Sequence, residues 1–227
     1  MEQTGYLLDL PITNYRRAHD LQLSVVKARH AGRIDSDVVV MLEHAPVFTL
    51  GRRGGMENLL VSTAYLEARS IQLVPVERGG DITYHGPGQL VVYVLMDIKG
   101  RPMGVADFVT RLENAMVRTA AHWGVAATGD TANRGAWVDG RKLGSVGITV
   151  RRGITFHGLA LNVTTDLEPF QWINPCGIKT CSMTTLVREA GGAIEMATVR
   201  RQMALHLSEL LDMELTRISL DDIEARL

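Results

Sequence analysis

The stretch Arg78-Gly79-Gly80-Asp81-Ile82-Thr83-Tyr84-His85-Gly86-Pro87-Gly88-Gln89 constrains this chain more than any other. Four glycines and a proline within twelve residues predict a loop with a bare backbone, whose N–H groups can approach a ligand closely. The loop leads directly into Leu90-Val-Val-Tyr-Val-Leu-Met96, an apolar, β-branched run of strand length. That order excludes two common nucleotide sites. A P-loop needs Gly-Lys-Ser/Thr, and the dinucleotide fingerprint opens a helix, whereas a strand follows here. A glycine-rich hairpin turn is the plain alternative reading of the same residues.

The flanking pattern supplies the elements. Asn14 is placed to cap a helix whose apolar positions Tyr15, Ala18, Leu21, Val25 and Ala28 recur at helical spacing until Gly32. Residues 38–42 and 47–50 read as strands on either side of Pro46, 63–69 as a short helix and 72–76 as a strand. Val105, Phe108, Val109, Leu112, Ala115 and Met116 form the apolar stripe of a helix over 105–123, stopped by Gly124. Strands are expected at 90–98, 143–150 and 154–163, the last two joined by an Arg151-Arg-Gly153 turn. An irregular stretch covers 166–180, and a last helix runs near 198–212. Strands come in consecutive groups, not in strict alternation with helices. This predicts an α+β fold with a mixed sheet and flanking helices, organised as one catalytic domain over 1–227.

Charge is nearly balanced, with 24 Lys and Arg against 25 Asp and Glu, which argues against a general nucleic-acid binder. The run 90–96 is far shorter than the roughly 20 residues of a membrane helix. No basic-then-apolar leader opens the sequence, so a cytoplasmic protein without a membrane partner is expected. Two cysteines, Cys176 and Cys181, cannot scaffold a chain of 227 residues.

Cysteine and lysine are scarce, which narrows the search for chemistry. Cys176 stands between Pro175 and Gly177, outside any periodic apolar run, which suits a reactive thiol better than core filler. Cys176 and Cys181 lack the two further ligands that zinc requires, so no metal site is expected. A thiolate nucleophile needs only a nearby cation or base. Lys142, in Asp139-Gly-Arg-Lys-Leu-Gly144, is one of four lysines and a candidate cation; His85 and His157 are rival bases. A solvated hairpin lysine is the plain alternative for Lys142, and spacing does not choose among the three.

Five blocks in order resemble the lipoyl(octanoyl) transferases of lipoate biosynthesis. They are Leu42-Glu-His-Ala-Pro-Val-Phe-Thr-Leu-Gly-Arg-Arg53, the loop Arg78 to Leu90, Lys142 to Gly147, Phe156-His-Gly-Leu-Ala-Leu-Asn-Val163, and Ile173-Asn-Pro-Cys-Gly-Ile178. The resemblance implies a fold similar to the catalytic module of biotin and lipoate protein ligases. It implies Cys176 as the acyl-thioester nucleophile and Lys142 as the group that lowers its pKa. Acyl-substrate contacts carry over to Arg78, Gly79, Gly80, Asp81, Ile82, Thr83, Tyr84 and His85, to Ser145, Val146 and Gly147, and to Gly158, Leu159 and Ala160. Gly144–Ser145 and Lys179–Met183 depart from the family pattern.

The implied reaction moves octanoyl from the phosphopantetheine of acyl carrier protein to a lysine of a lipoyl domain, with no cofactor of the enzyme's own and no ATP. The acceptors implied are lipoyl domains of 2-oxoacid dehydrogenase complexes and the glycine cleavage H protein. Gly147, Gly158 and Ala160 are expected to leave an apolar slot open for the acyl tail. The doublets Arg52-Arg53 and Arg151-Arg152 are candidate docking points for acidic protein partners. The rival readings are an ATP-dependent ligase on the same fold, an amidotransferase that also uses cysteine, and a non-enzymatic binding module.

Overall fold

The computed structural model describes residues 3–174 and 182–227. It opens with strand β1 (Gln3–Thr13), helix α1 (Tyr15–His30), β2 (Asp37–His44), β3 (Val47–Leu50), α2 (Thr63–Glu67), β4 (Gln72–Pro75), β5 (Ile82–His85) and β6 (Gln89–Leu95). Then follow α3 (Val105–Ala121), β7 (Thr128–Gly129), β8 (Gly135–Val138), β9 (Arg141–Arg151) and β10 (Ile154–Asn162). The described chain ends with β11 (Ser182–Met183), α4 (Leu186–Ala190), α5 (Met196–Leu211), β12 (Met213–Arg217) and α6 (Leu220–Glu224).

A large mixed sheet takes the order β12-β1-β2-β6-β10-β9-β8-β7, with β11 added beside β9. Its β12, β1 and β2 run parallel, and from β2 to β7 each neighbour is antiparallel. A small sheet, β4-β3-β5, stands apart from it. The fold is therefore mixed α+β, with helices on both faces of the large sheet.

Strand β6 shows why its sequence is continuously apolar. Side chains alternate across a strand, so Leu90, Val92 and Val94 face one core while Val91, Tyr93 and Leu95 face another. Helices α3 and α5 cover the first face through Phe108, Leu112, Met116, Val199, Met203 and Leu207. Helix α1 covers the second through Ala18, Val25 and Val26, joined by Ile223 of α6. Strands covered on both faces lose the polar alternation of a half-exposed sheet.

Several boundaries follow their caps. The Asn14 carboxamide accepts from the Arg16 and Arg17 backbone N–H groups and starts α1. Gly191 takes a left-handed conformation at φ +71° and ends α4. The glycine-rich stretch differs from the expectation in one respect. Its centre is not loop but strand β5, which pairs with β3 through Ile82 to His85 and turns back into β6 at Gly88, φ +80°. The strand was hidden because four glycines in the stretch outweigh four strand-forming residues. Strand β3 likewise leaves the large sheet after Pro46 and joins β4 and β5.

Candidate active site

A cavity of about 60 Å³, partly open to solvent, lies between the glycine-rich stretch and strands β9 and β10. Three blocks separated in sequence meet in its wall: Arg78 to Thr83 with His85, Ser145 to Gly147, and Gly158 to Ala160. Lys142 lines it as well. Tyr84 is the exception among the expected contacts. On β5 it points opposite to Thr83 and His85, packing against Phe48 and Phe170 at ring separations of 5.3 and 5.6 Å. Burial there pushes its phenol up to about 12.

Lys142 is not a solvated hairpin lysine. It is the second residue of β9 and only 1 % exposed, a state lysine rarely adopts without a charge-linked or chemical reason. Its Nζ lies 4.9 Å from the centre of the Trp137 ring, a cation–π distance. Its backbone is fixed from both sides, pairing with Trp137 of β8 and Met183 of β11, and its carbonyl accepts from Thr184 N–H at 2.9 Å. Room for the lysine stem depends on Gly135. A Cβ there would stand 2.2 Å from the Gly144 carbonyl oxygen and 3.0 Å from Lys142 Cε, at φ +147°.

The glycine-rich stretch is held by its own charged residues. Buried Arg78 donates from Nη2 to the Thr49 carbonyl at 2.7 Å and hydroxyl at 2.8 Å, and from Nε to the same hydroxyl. Asp81 accepts from Asn58 Nδ2 and from the Ile82 N–H, both at 2.6 Å. Gly79 N–H donates to the Ile148 carbonyl on β9, which ties the loop to the strand opposite. Arg78 and Asp81 thus shape the cavity wall as anchors.

Imidazoles and phenols fill the floor. His85 Nδ1 lies 2.7 Å from Gln89 Oε1, while Gln89 Nε2 donates to Asn162 Oδ1 and the Tyr84 carbonyl. The carboxamide oxygen is therefore the acceptor, His85 Nδ1 carries the proton, and Nε2 keeps its lone pair. His44 Nδ1 donates to the Thr13 carbonyl, so its Nε2 accepts from Tyr93 Oη at 2.5 Å. Burial lowers the His44 imidazole to about 4. Burial first, and the His44 ring second, hold His85 at about 3. Burial, then His19 and Arg78, hold His157 at about 3. All three are neutral near pH 7. The rings form a ladder in which Tyr15 stacks on His85 and on His19, and His19 on His157.

Gly147, Gly158 and Ala160, expected to leave a slot open, all line the cavity, and the two glycines also set how closely neighbouring segments approach. A Cβ at Gly158 would stand 2.0 Å from the Val92 carbonyl oxygen, so this glycine permits close approach of β6. A Cβ at Gly147 would meet Arg78 Cδ and the Gly79 carbonyl oxygen, both at 3.2 Å. At both glycines the missing side chain lets a neighbouring segment come close at the cavity wall.

Cys176, Cys181 and the rest of 175–181 lie outside the described residues. The described chain reaches Asn174, whose N–H donates to the Asn58 carbonyl, and resumes at Ser182, paired with Arg141. Tyr15, Tyr93 and Arg134 also line the cavity and were not singled out from sequence, because each sits in an ordinary helical, strand or turn pattern. His157, named from the sequence as a rival base, also lines the cavity.

The model of the lipoyl protein ligase A/B catalytic domain matches residues 14–208. An octanoyltransferase of Desulfotalea psychrophila is 45 % identical over 208 residues, spanning 91 % of this chain and 93 % of that protein. The chain belongs to this family of octanoyltransferases. It is an acyltransferase of the ligase A/B superfamily. An octanoyltransferase of Syntrophobacter fumaroxidans is 40 % identical over 230 residues, covering 100 % of this chain and 99 % of its own. The fold is that of the ligases. A bipartite lipoate protein ligase of Thermoplasma acidophilum superposes with a TM-score of 0.78 at 18 % identity, over 99 % of this chain and 90 % of that one. A biotin protein ligase of Aquifex aeolicus gives 0.51 at 12 % identity, over 93 % and 69 %. Among the described residues no helix is long and apolar enough to cross a membrane.

Proposed function

We propose that the protein moves an octanoyl group from the phosphopantetheine thioester of acyl carrier protein to the target lysine of a lipoyl domain, through an acyl-thioester on Cys176 and without ATP. The observation that carries this reading is a lysine buried in the wall of a cavity on which three separated sequence blocks converge.

The Cys176 thiolate attacks the donor carbonyl, a new C–S bond forms, and the pantetheine thiol departs. The acceptor amine then attacks the enzyme thioester, releasing the thiolate and leaving an amide. One thioester replaces another in the first half, and amide stability drives the second, so nucleotide is unnecessary. Lys142 acts as the cation that favours the thiolate; each unit by which the thiol pKa falls is worth about 1.4 kcal/mol. His85, neutral and with its Nε2 lone pair available, can accept a hydrogen bond from the incoming amine, but an imidazole held at about 3 is too weak a base to keep its proton near pH 7. Backbone N–H groups of the 78–88 stretch are candidates to hold the oxyanion. An octanoyl tail gains on the order of 5 kcal/mol when its carbons leave water, at about 0.8 kcal/mol per methylene.

Acyl carrier protein and lipoyl domains are acidic partners in this reading, the acceptors being those of 2-oxoacid dehydrogenase complexes and the glycine cleavage H protein in the cytoplasm. Arg151 and Arg152 support it, since they share a cleft with Lys27 and His30 from the end of α1. Arg151 is four residues along β9 from Gly147 in the cavity wall, about 13 Å at strand rise. Arg52 and Arg53 are exposed on a turn whose N–H groups donate to the Arg78 and Gly80 carbonyls.

The ligase reading rests on the shared fold and on a family model whose description names ligases, while residues 78–88 contain no lysine to meet an adenylate phosphate. Octanoyl-carrier protein and an unmodified lipoyl domain, mixed with enzyme and no nucleotide, test the choice. Octanoyl-amide on the lipoyl lysine is expected; product only when ATP and free octanoate are supplied would overturn the transferase.

A further inference from the structure

Three side chains that the acyl-transfer reading does not use meet at one edge of the cavity. They are His19 of α1, Glu77 just before the glycine-rich stretch, and His157 of β10. His19 Nε2 lies 2.9 Å from Glu77 Oε2, and His157 Nε2 lies 3.8 Å from the same oxygen. The donor atoms of all three fall within 4.8 Å of one another. They come from positions 19, 77 and 157, so no local spacing motif announces them.

His157 supplies an independent observation. It is 2 % exposed, yet its Nε2 has no hydrogen-bond partner among the described residues, since 3.8 Å is too long for one. A buried polar nitrogen left unpaired costs roughly 1–3 kcal/mol. The backbone adds to this. His157 sits at φ +59°, a left-handed conformation that a non-glycine residue adopts only when its surroundings impose it, at about 1–3 kcal/mol. Its N–H donates to Gln22 Oε1 of α1, which fixes the ring in that unusual setting. Two separate costs are therefore met to aim an unpartnered imidazole nitrogen at a carboxylate and a second imidazole.

We propose that His19, Glu77 and His157 bind a divalent transition-metal ion of the zinc class, with the remaining coordination position turned toward the cavity that His157 lines. Two imidazoles and one carboxylate form a donor set suited to zinc, cobalt, nickel or ferrous iron, not to calcium or magnesium. Ligand atoms about 2.0–2.1 Å from a tetrahedral ion stand roughly 3.3 Å apart. Two of the three separations, 2.9 and 3.8 Å, straddle that value, and the third, between the two histidines, lies within 4.8 Å, so side-chain shifts of up to about an ångström complete the site. The carboxylate is steadied from behind, with Arg151 Nη2 3.4 Å from Glu77 Oε1 and Thr149 Oγ1 donating to the Glu77 carbonyl. The ion supplies the partner that His157 Nε2 lacks, and departs from the sequence expectation of a metal-free chain. Nothing in this assignment depends on the acyl-transfer reading.

Cobalt(II) titration of the full-length Cys176→Ser/Cys181→Ser protein, which removes thiolate ligation, tests the site. One equivalent is expected to bind, with the visible bands of a four- or five-coordinate ion and displacement by zinc. His19→Ala and His157→Gln should each weaken binding at least about tenfold, with circular dichroism and thermal midpoint reporting that the chain is folded. Partly buried His19 carries the test should the His157 variant not fold. Absence of saturable binding, or binding unchanged in both His19→Ala and Glu77→Gln, overturns the proposal.

Discussion

Burial decides the chemistry of single residues in this cavity. His44 and His85 are held neutral by desolvation, at about 4 and about 3, against 6.5 for an exposed imidazole. Both folded values lie below the unfolded one, so between pH 6.5 and 4 the unfolded chain binds protons that the folded chain refuses. Their contribution to stability is complete above about pH 6.5 and disappears as pH falls through that window. Each imidazole withdraws on the order of 2–3 kcal/mol by the bottom of it. Urea midpoints should therefore drop between pH 7 and pH 4.5, and His44→Gln should flatten the slope. A midpoint that holds or rises on acidification contradicts the neutral-imidazole assignment. Lys142 follows different logic. It is held inside by backbone pairing on two sides and by the Trp137 ring, so its removal should affect chemistry more than folding.

At the scale of elements, the position of β10 against β6 controls the cavity wall. Gly158 faces Val92 with no space for a methyl group. Gly158→Ala should lower unfolding free energy by about 1–3 kcal/mol, measured by urea denaturation, because the strands must part. An unperturbed variant would show that the two backbones tolerate separation. The long elements were legible from sequence where a period was strong. Strands β2, β6, β9 and β10, and helices α1, α3 and α5, appear within a few residues of their expected bounds. What was illegible has a common physical cause. Strand β1 carries Pro11 and mixed polarity, β7 and β11 are two residues each, and β12 follows a helix with no break. Their pairing is set by neighbours in the sheet, not by local preference. The site divides the same way. Glycines announced the 78–88 stretch, and scarcity singled out Lys142. Tyr15, Tyr93 and the partners of His157 become visible only when α1, β6 and β10 are assembled.

For the whole molecule, the acidic partners of the proposed function would have to be recruited by local charge, since the protein is nearly neutral. The cleft lined by Lys27, His30, Arg151 and Arg152 and the exposed Arg52–Arg53 turn are the surfaces proposed for that docking. Arg152→Glu should slow acylation by octanoyl-carrier protein about tenfold at low salt, with the difference shrinking as salt rises. The same variant should react normally with a small octanoyl thioester; equal slowing with both donors removes the docking role. The central claim is a covalent relay in which Lys142 serves Cys176. Intact-protein mass spectrometry after mixing enzyme with octanoyl-carrier protein, without ATP, tests it most directly. Wild type is expected to gain the mass of one octanoyl group, Cys176→Ser to gain none, and Lys142→Met, though folded, to acylate at least about a hundredfold more slowly. Octanoyl transfer to a lipoyl domain by Cys176→Ser at the wild-type rate, with no acyl-enzyme ever formed, would contradict it.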